Sequence, residues 1–262
     1  MIGPRALAQR LSRSPSRTTR KVTIPEGWNF RQIATRLGEL EICDPESFET
    51  AVFDPTLRTE LGILGPSVEG FLFPATYELG VDTEPHTLIR QLVAETRKRL
   101  ARLSGEYPGA VADLAQKDGF GEHEIVTLAS IVERESGNAK EDAVIAGVFF
   151  NRLRDPDFRP ARSLQSDPTA AYGCLVAPDS APSCAAYRGQ VLPAMLRDAQ
   201  NPYNTYRRPG LPPGPISNPG ESALRAVLAP EKSEYLYFVA AGGGRHRFSR
   251  TFEEHRQAVS GR

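Results

Sequence analysis

The stretch that most constrains this chain is Glu124–Arg154, EIVTLASIVERESGNAKEDAVIAGVFFNRLR. Ile125, Leu128, Ala129 and Val132 recur at helical spacing and predict a helix with an apolar face. A second helix carrying VFFNRLR follows after a tight turn, and Asp155-Pro156 ends it. Two carboxylates stand near the end of the first helix, and spacing tells them apart. Glu135 follows Leu128, Ile131 and Val132 at seven, four and three residues, so it projects beside the apolar stripe. Glu133 falls on the flank, and Arg134 points to the far side. Gly137 reads as the C′ residue, which puts Glu135 in the last turn. A carboxylate there meets the negative end of the helix dipole, and partial burial acts in the same direction. Both favour the protonated form, which is what general-acid chemistry requires near neutral pH. Spacing alone fits a solvated glutamate at a helix end at least as well.

Charge narrows the function class. Lysine plus arginine equals aspartate plus glutamate, 32 each, so no global charge points to nucleic acid. No run of about twenty apolar residues is present, and no signal-peptide core follows Met1. Met1–Lys21 carries five arginines, one lysine and no acid, and is expected to be a disordered, solvated basic arm.

From Val22 the pattern changes. Val22-Thr23-Ile24 reads as a strand and Pro25-Glu26-Gly27 as a turn. Asn29 caps a helix with Ile33, Ala34 and Leu37 inward, and a shorter helix follows Asp44-Pro45 with Phe48 and Val52 inward. Glu69–Tyr77 reads as an extended core segment with Pro74 at an edge. His86–Leu103 is an amphipathic helix with Leu88, Leu92, Val93, Thr96 and Leu100 on one side. Ser104–Pro108 is turn-like and serves as the expected domain boundary.

Beyond the organising helices, Asp167 reads as an N-cap and Pro168 as the first residue of a helix. Gln165, just before it, has no evident local duty. Cys174 and Cys184 lie in a loop rich in proline, alanine and serine, where a disulfide would stiffen a segment with little core, given an oxidising compartment. Cys43 is then left as a buried free thiol. The three cysteines and four histidines lack zinc-site spacing, and there is no nucleophile elbow, P-loop or dinucleotide fingerprint. Asn201–Tyr206 and Gly210–Ile216 bring amides and tyrosines together, groups that hold hydroxyl pairs and the apolar faces of sugars; tyrosines packed on the core fit the same segment. A helix over Glu221–Leu228 follows. Tyr235–Val239 and His246–Phe248 form a hairpin around Gly242–Gly244, and a helix containing His255 closes the chain. His246 and His255 read as structural hydrogen-bonders.

Six blocks carry a resemblance: VTIPEGWNFRQIA, EGFLFPATYEL, ASIVERES with VFFNRLR, LQSDPTAAYG, YNTYRRPGLPPGPISNPG and YLYFVAAGGGRHRFSRTFEEH. In this order the chain resembles the YceG-like (MltG) family of endolytic murein transglycosylases. The resemblance implies that Glu135, the second glutamate of the ERES end, is the catalytic acid, with Ser136 completing a Glu-Ser pair. It implies cleavage of the β-1,4 bond between N-acetylmuramic acid and N-acetylglucosamine within a glycan strand, leaving 1,6-anhydromuramoyl ends. Gln165, Asn204 and Tyr206 are the candidates for gripping the saccharide, with Asp167 a weaker one because of its expected cap. No metal or organic cofactor is implied. The implied partners are peptidoglycan glycan strands and peptidoglycan synthases, with no nucleic acid. The implied location is the cell envelope, at the extracytoplasmic (periplasmic) face of the inner membrane. Family members usually begin with a transmembrane anchor and a fuller LysM-like segment, and this sequence shows only the later part of that region.

The expected fold class is α+β: a small N-terminal LysM-like α/β unit, then a helix-rich, lysozyme-like catalytic domain with a C-terminal β-hairpin. The expected division is a basic arm at 1–21, the N-terminal unit at 22–104 and the catalytic domain at 105–262. Two alternatives accompany it. A hydrolytic muramidase would need a second carboxylate near Glu135, for which Asp167 is the candidate. A non-catalytic peptidoglycan-binding scaffold would need only the N-terminal unit.

Overall fold

Asn29 starts the first helix as its position predicts. Its side chain accepts from the N–H groups of Arg31 and Gln32, and the Gln32 side chain accepts from the Asn29 N–H, closing a capping box. The structure is a computed structural model and describes residues 18–261. The chain opens with strand β1, Thr19–Thr23, and the capped helix is α1, Phe30–Glu39. Asp44 caps α2, Pro45–Val52, and Asp54 caps α3, Pro55–Glu60. Strand β2, Thr76–Gly80, returns antiparallel to β1, with Val22 opposite Tyr77 and Thr19 opposite Gly80. Strand β1 starts earlier than Val22 because Arg20 and Lys21, placed by sequence in the arm, find ladder partners in Leu79 and Glu78. Residues 1–17 of that arm lie outside the described residues. Only the Tyr77 end of the expected extended segment is strand.

Helix α4, Pro85–Glu106, buries Leu88, Leu92, Val93, Thr96 and Leu100, and it runs straight through Ser104. It is followed by α5, Ala110–Asp118, then α6, Glu122–Glu135, and α7, Asp142–Arg154, with a 3-10 turn at Ala139–Glu141 between the last two. Next come α8, Asp167–Val176, the short α9, Pro193–Arg197, and α10, Glu221–Leu228. Strands β3, Tyr237–Gly242, and β4, Arg245–Ser249, form an antiparallel hairpin, and α11, Phe252–Ser260, closes the described chain. Among the described residues this is an α+β fold with two small two-stranded sheets. Among the described residues no helix is long and apolar enough to cross a membrane.

The N-terminal unit and the helices after it share one apolar core, which includes Phe30, Phe71, Leu92, Val126 and Leu224. Helix α6 is its axis. Every residue from Ile125 to Val132 is buried, not just one stripe. Helices α7, α8 and α10 pack on it, and Pro215–Ser217 close another side. Gly70 permits that closure: its φ is +85°, and a Cβ there would lie 2.4 Å from Pro215 and 2.9 Å from Val126.

Asn218 fastens the two halves. Its Oδ1 accepts from the Leu72 N–H at 2.8 Å, and its Nδ2 donates to the Trp28 carbonyl at 3.0 Å and to Glu69 Oε1 at 2.6 Å. The Asn218 N–H also donates to the Trp28 carbonyl, and its own carbonyl accepts from the Gly27 N–H. Glu69 is fully buried, and its Oε2 accepts from the Phe30 N–H at the start of α1. Burial pushes the Glu69 carboxyl up to about 7.

Cys174 and Cys184 are joined in a disulfide with Cα atoms 4.9 Å apart, at the centre of a satellite cluster with Ala181 and Met195. Cys43 is a buried free thiol, and burial raises it to about 11. Asn218→Ala leaves the Leu72 N–H without its acceptor and removes one donor from the buried Glu69 carboxyl. It is expected to lower the unfolding free energy by about 2–4 kcal/mol in urea titration and to speed exchange of the Leu72 amide.

Candidate active site

Glu135 is the last residue of α6, and the Ser136 N–H donates to the Val132 carbonyl to close the helix. Burial raises the Glu135 pKa, and the Asp167 charge adds to the rise. Ser166, Arg152 and His246 act against it by favouring the carboxylate. The net shift is upward, as the helix-end reading anticipates.

Arg152 is the strongest opposing cation, and spacing arguments passed over it. It lies on α7, only 5% exposed, and donates from Nε to the Leu236 carbonyl at 2.6 Å and from its terminal nitrogen to the Leu164 carbonyl. It stands over the rings of Phe149, Phe158, Tyr237 and Phe238 at 5.4–6.0 Å. Burial lowers it to about 10, so it remains a cation at neutral pH. The available signal was its position: Arg152 follows Val148 and Phe149 at four and three residues, an arginine on an apolar face.

The Glu133 carboxyl is half-buried and pushed up to about 7, chiefly by burial, so a raised pKa does not by itself single out Glu135. Its surroundings do. Glu133 Oε2 accepts from the Gly220 N–H at 3.0 Å, at the N-cap of α10, where a carboxylate complements the helix dipole. Glu135 instead meets Arg152, Ser166 and Asp167.

Gly137 has a different role from the one spacing assigned. It lies outside the left-handed region. A Cβ on it would sit 3.0 Å from the Gly244 Cα, so its small size lets the hairpin tip dock on the turn behind Glu135. The docked hairpin brings His246, whose Nδ1 lies 2.8 Å from Glu141 Oε2, within electrostatic reach of Glu135. Ser136 holds the same turn: its hydroxyl donates to the Asn138 carbonyl at 3.0 Å and accepts from the Asn138 N–H.

The remaining candidates sort into two groups around Thr205, another residue that spacing did not pick. Thr205 binds the loop before α8: its carbonyl accepts from Ser163 Oγ and the Gln165 N–H, and its hydroxyl accepts from the Ser166 N–H. This delivers Ser166, fully buried, with its hydroxyl addressing Glu135 and no hydrogen bond of standard geometry elsewhere. Asp167 is the first residue of α8 and not its cap; Ser166 occupies the N-cap position. The Asp167 carboxylate accepts from the Tyr206 hydroxyl at 2.6 Å instead. Burial, and then Asp167, raise the Tyr206 phenol well above its ordinary range. Asn204 does not face the site. It is fully buried, its Nδ2 donates to the carbonyls of Met195, Leu196 and Asp198, and its Oδ1 accepts from the Tyr206 N–H. Its amide is a clamp for the disulfide-stapled lobe, because a proline-rich segment with little core needs its carbonyls satisfied locally.

Gln165 opens on a cavity of about 550 Å³, and Asp167 on another of about 240 Å³ that Arg134, Pro168 and Tyr187 also line. A larger cavity of about 810 Å³ around His86 shares no lining residue with either. Among the described residues no group of three or more histidines, cysteines, aspartates or glutamates is arranged to hold a metal ion.

Known proteins place the chain. The YceG-like family matches it over residues 2–261. The chain belongs to the YceG-like family. It is 30% identical over 269 residues to the endolytic murein transglycosylase of Bacillus subtilis strain 168, covering 97% of this chain and 68% of that protein. It is 31% identical over 261 residues to the endolytic murein transglycosylase of Streptococcus pneumoniae serotype 2 strain D39, covering 91% of this chain and 44% of that protein. The 2.6 Å crystal structure of the yceG-like protein lmo1499 from Listeria monocytogenes superposes with a TM-score of 0.73 at 32% identity, covering 91% of this chain and 75% of that one.

The two groups of candidate residues separate in a stability measurement. Asn204→Ala strands three carbonyls and is expected to cost about 2–3 kcal/mol in thermal unfolding, whereas Gln165→Ala is expected to stay within about 0.5 kcal/mol.

Proposed function

We infer that this chain is an endolytic murein transglycosylase with Glu135 as its single acid–base group. It cleaves the β-1,4 bond between N-acetylmuramic acid and N-acetylglucosamine inside glycan strands and leaves 1,6-anhydromuramoyl ends. The observation that carries the reading is the Glu135 carboxyl at the end of α6, raised by burial, addressed by the Ser166 hydroxyl and within electrostatic reach of the buried Arg152 cation.

Protonated Glu135 donates its proton to the glycosidic oxygen as the C1–O bond breaks. The carboxylate that forms is stabilised by Arg152 and by the Ser166 hydroxyl, both of which favour the ionised form. That carboxylate then takes the proton from the C6 hydroxyl as its oxygen bonds to C1. Atoms balance without water, and Glu135 ends protonated for the next cycle. The neighbouring carboxylate, Asp167, is engaged by the Tyr206 hydroxyl, which supports a one-carboxylate mechanism over a two-carboxylate hydrolase. Action at the cell envelope follows from the substrate. The Cys174–Cys184 bridge supports an extracytoplasmic setting, since disulfides persist in oxidising compartments, and we place the chain at the outer face of the inner membrane. Peptidoglycan synthases that lay down the same strands are the proposed partners.

Digestion of purified peptidoglycan, read by mass spectrometry, tests the reaction and its acid together. Wild type is expected to release anhydromuramoyl ends, and Glu135→Gln none. Products heavier by one water would make the protein a muramidase, and binding without cleavage by wild type would make it a scaffold. The pH dependence has a defined sign. Because the folded pKa of Glu135 is raised, activity is expected to fall as pH rises through it. The same shift means that folding favours the protonated form, so stability from this group is present below the ordinary glutamate range and lost as pH rises. Glu135→Gln is therefore expected to unfold at a higher temperature than wild type at pH 8, while its activity is lost.

A further inference from the structure

We propose that the cavity where the loop after α7 meets β3 and the start of α11 is a saccharide subsite, which holds one N-acetylated pyranose of the strand against the exposed ring of Phe252. The proposal rests on the murein reading and gives that reading a location. At about 550 Å³ the cavity falls in the range of small-molecule sites, roughly 300–1,000 Å³.

Its aromatic wall is rigid and presented to solvent. Phe252 opens α11 with 60% of its surface exposed, which leaves a face of its ring open to the apolar side of a ligand. Behind it Tyr237 lies 5.9 Å from Phe252 and 5.9 Å from Phe158, and it stacks on His255 at 5.3 Å. A ring held on a packed row loses little entropy when a pyranoside lays its C–H face on it.

The polar wall suits a neutral ligand. Gln165 reaches the cavity from a left-handed backbone with φ +53°, a conformation that costs a non-glycine residue on the order of 1 kcal/mol. Its side-chain amide makes no hydrogen bond to the described residues, so both its donor and its acceptor are available for hydroxyl or N-acetyl groups. Arg159 and Arg250 are balanced by Asp155 and Asp157 on the same wall. An acidic stem peptide would gain nothing net from that balance, whereas an uncharged sugar loses nothing.

The cavity is next to the acid. Phe158 and Tyr237 are two of the rings beneath Arg152, which faces Glu135, and Gln165 directly precedes Ser166, which addresses the same carboxyl. A pyranose on Phe252 is therefore a near neighbour of the scissile bond along the strand.

The test uses the full chain, purified uncross-linked glycan strands and two variants, Phe252→Ala and Gln165→Ala. Binding is measured in the Glu135→Gln background and cleavage in the native one. Each variant is expected to weaken strand affinity and raise KM by about fivefold to tenfold, the scale of one stacking or polar contact, with kcat within about twofold and the melting curve preserved. Phe252→Trp is expected to restore affinity. Unchanged affinity and KM in both folded variants would overturn the subsite alone, as would a fall in kcat at constant KM. Displacement of the strand by free stem peptide would overturn the choice of a sugar as ligand. A wild type that neither binds nor cuts strands would overturn the murein reading together with the subsite.

Discussion

The whole arrangement depends on the burial of α6. A helix enclosed on every side must satisfy its own polar side chains, and it does so internally. The Thr127 hydroxyl donates to the His123 carbonyl, and the Ser130 hydroxyl donates to the Thr127 carbonyl while accepting from the Ile216 N–H. With that interior closed, the only polar exits are at the helix ends. Glu133 and Glu135 therefore emerge together where α10, the hairpin tip and the loop before α8 converge, and each is given a different partner. Any change that loosens α6 moves the acid relative to every group that tunes it.

The electrostatics at Glu135 set burial against three groups that favour the carboxylate. Burial disfavours the carboxylate most, and the Ser166 hydroxyl, then Arg152 and His246, favour it. The net pKa rises, so burial wins here. That opposition suits the proposed acid–base role, in which the group gives up a proton and then takes one back. A fully unopposed buried acid would donate poorly, and a tightly paired one would already be ionised. Arg152 is itself kept near the site by backbone carbonyls and by four aromatic rings, so it need not collapse onto Glu135 as a closed ion pair.

Local elements were legible because their signals are local. Asn29, Asp44 and the Glu221–Leu228 helix lie where capping and periodicity put them, and the hairpin pairs as its glycines and aromatics indicate. Glu135 was legible for the same reason, since its place relative to Ile131 and Val132 is a matter of helix geometry. Groups held by distant residues were not. Asn204 has the chemistry of a sugar ligand, yet three carbonyls within ten residues claim its amide. Asp167 reads as a cap, yet Tyr206, thirty-nine residues away, takes its carboxylate. Arg152 and Thr205 gave no motif of their own, because their roles consist of long-range partners.

Periodicity, caps and turns act over a few residues, so the helices, the strands, the family and the two carboxyls at the end of an apolar helix are legible in the amino-acid sequence. Tertiary contacts settle which acid lies in the field of Arg152 and which caps a neighbouring helix, and which amides remain available and which are consumed inside. They also decided that Asn218 and Glu69 would lock the N-terminal unit onto the helices instead of leaving it on a linker. Those outcomes turn on burial and on hydrogen bonds between segments far apart in the chain, and a residue's spacing carries no information about what will be folded against it.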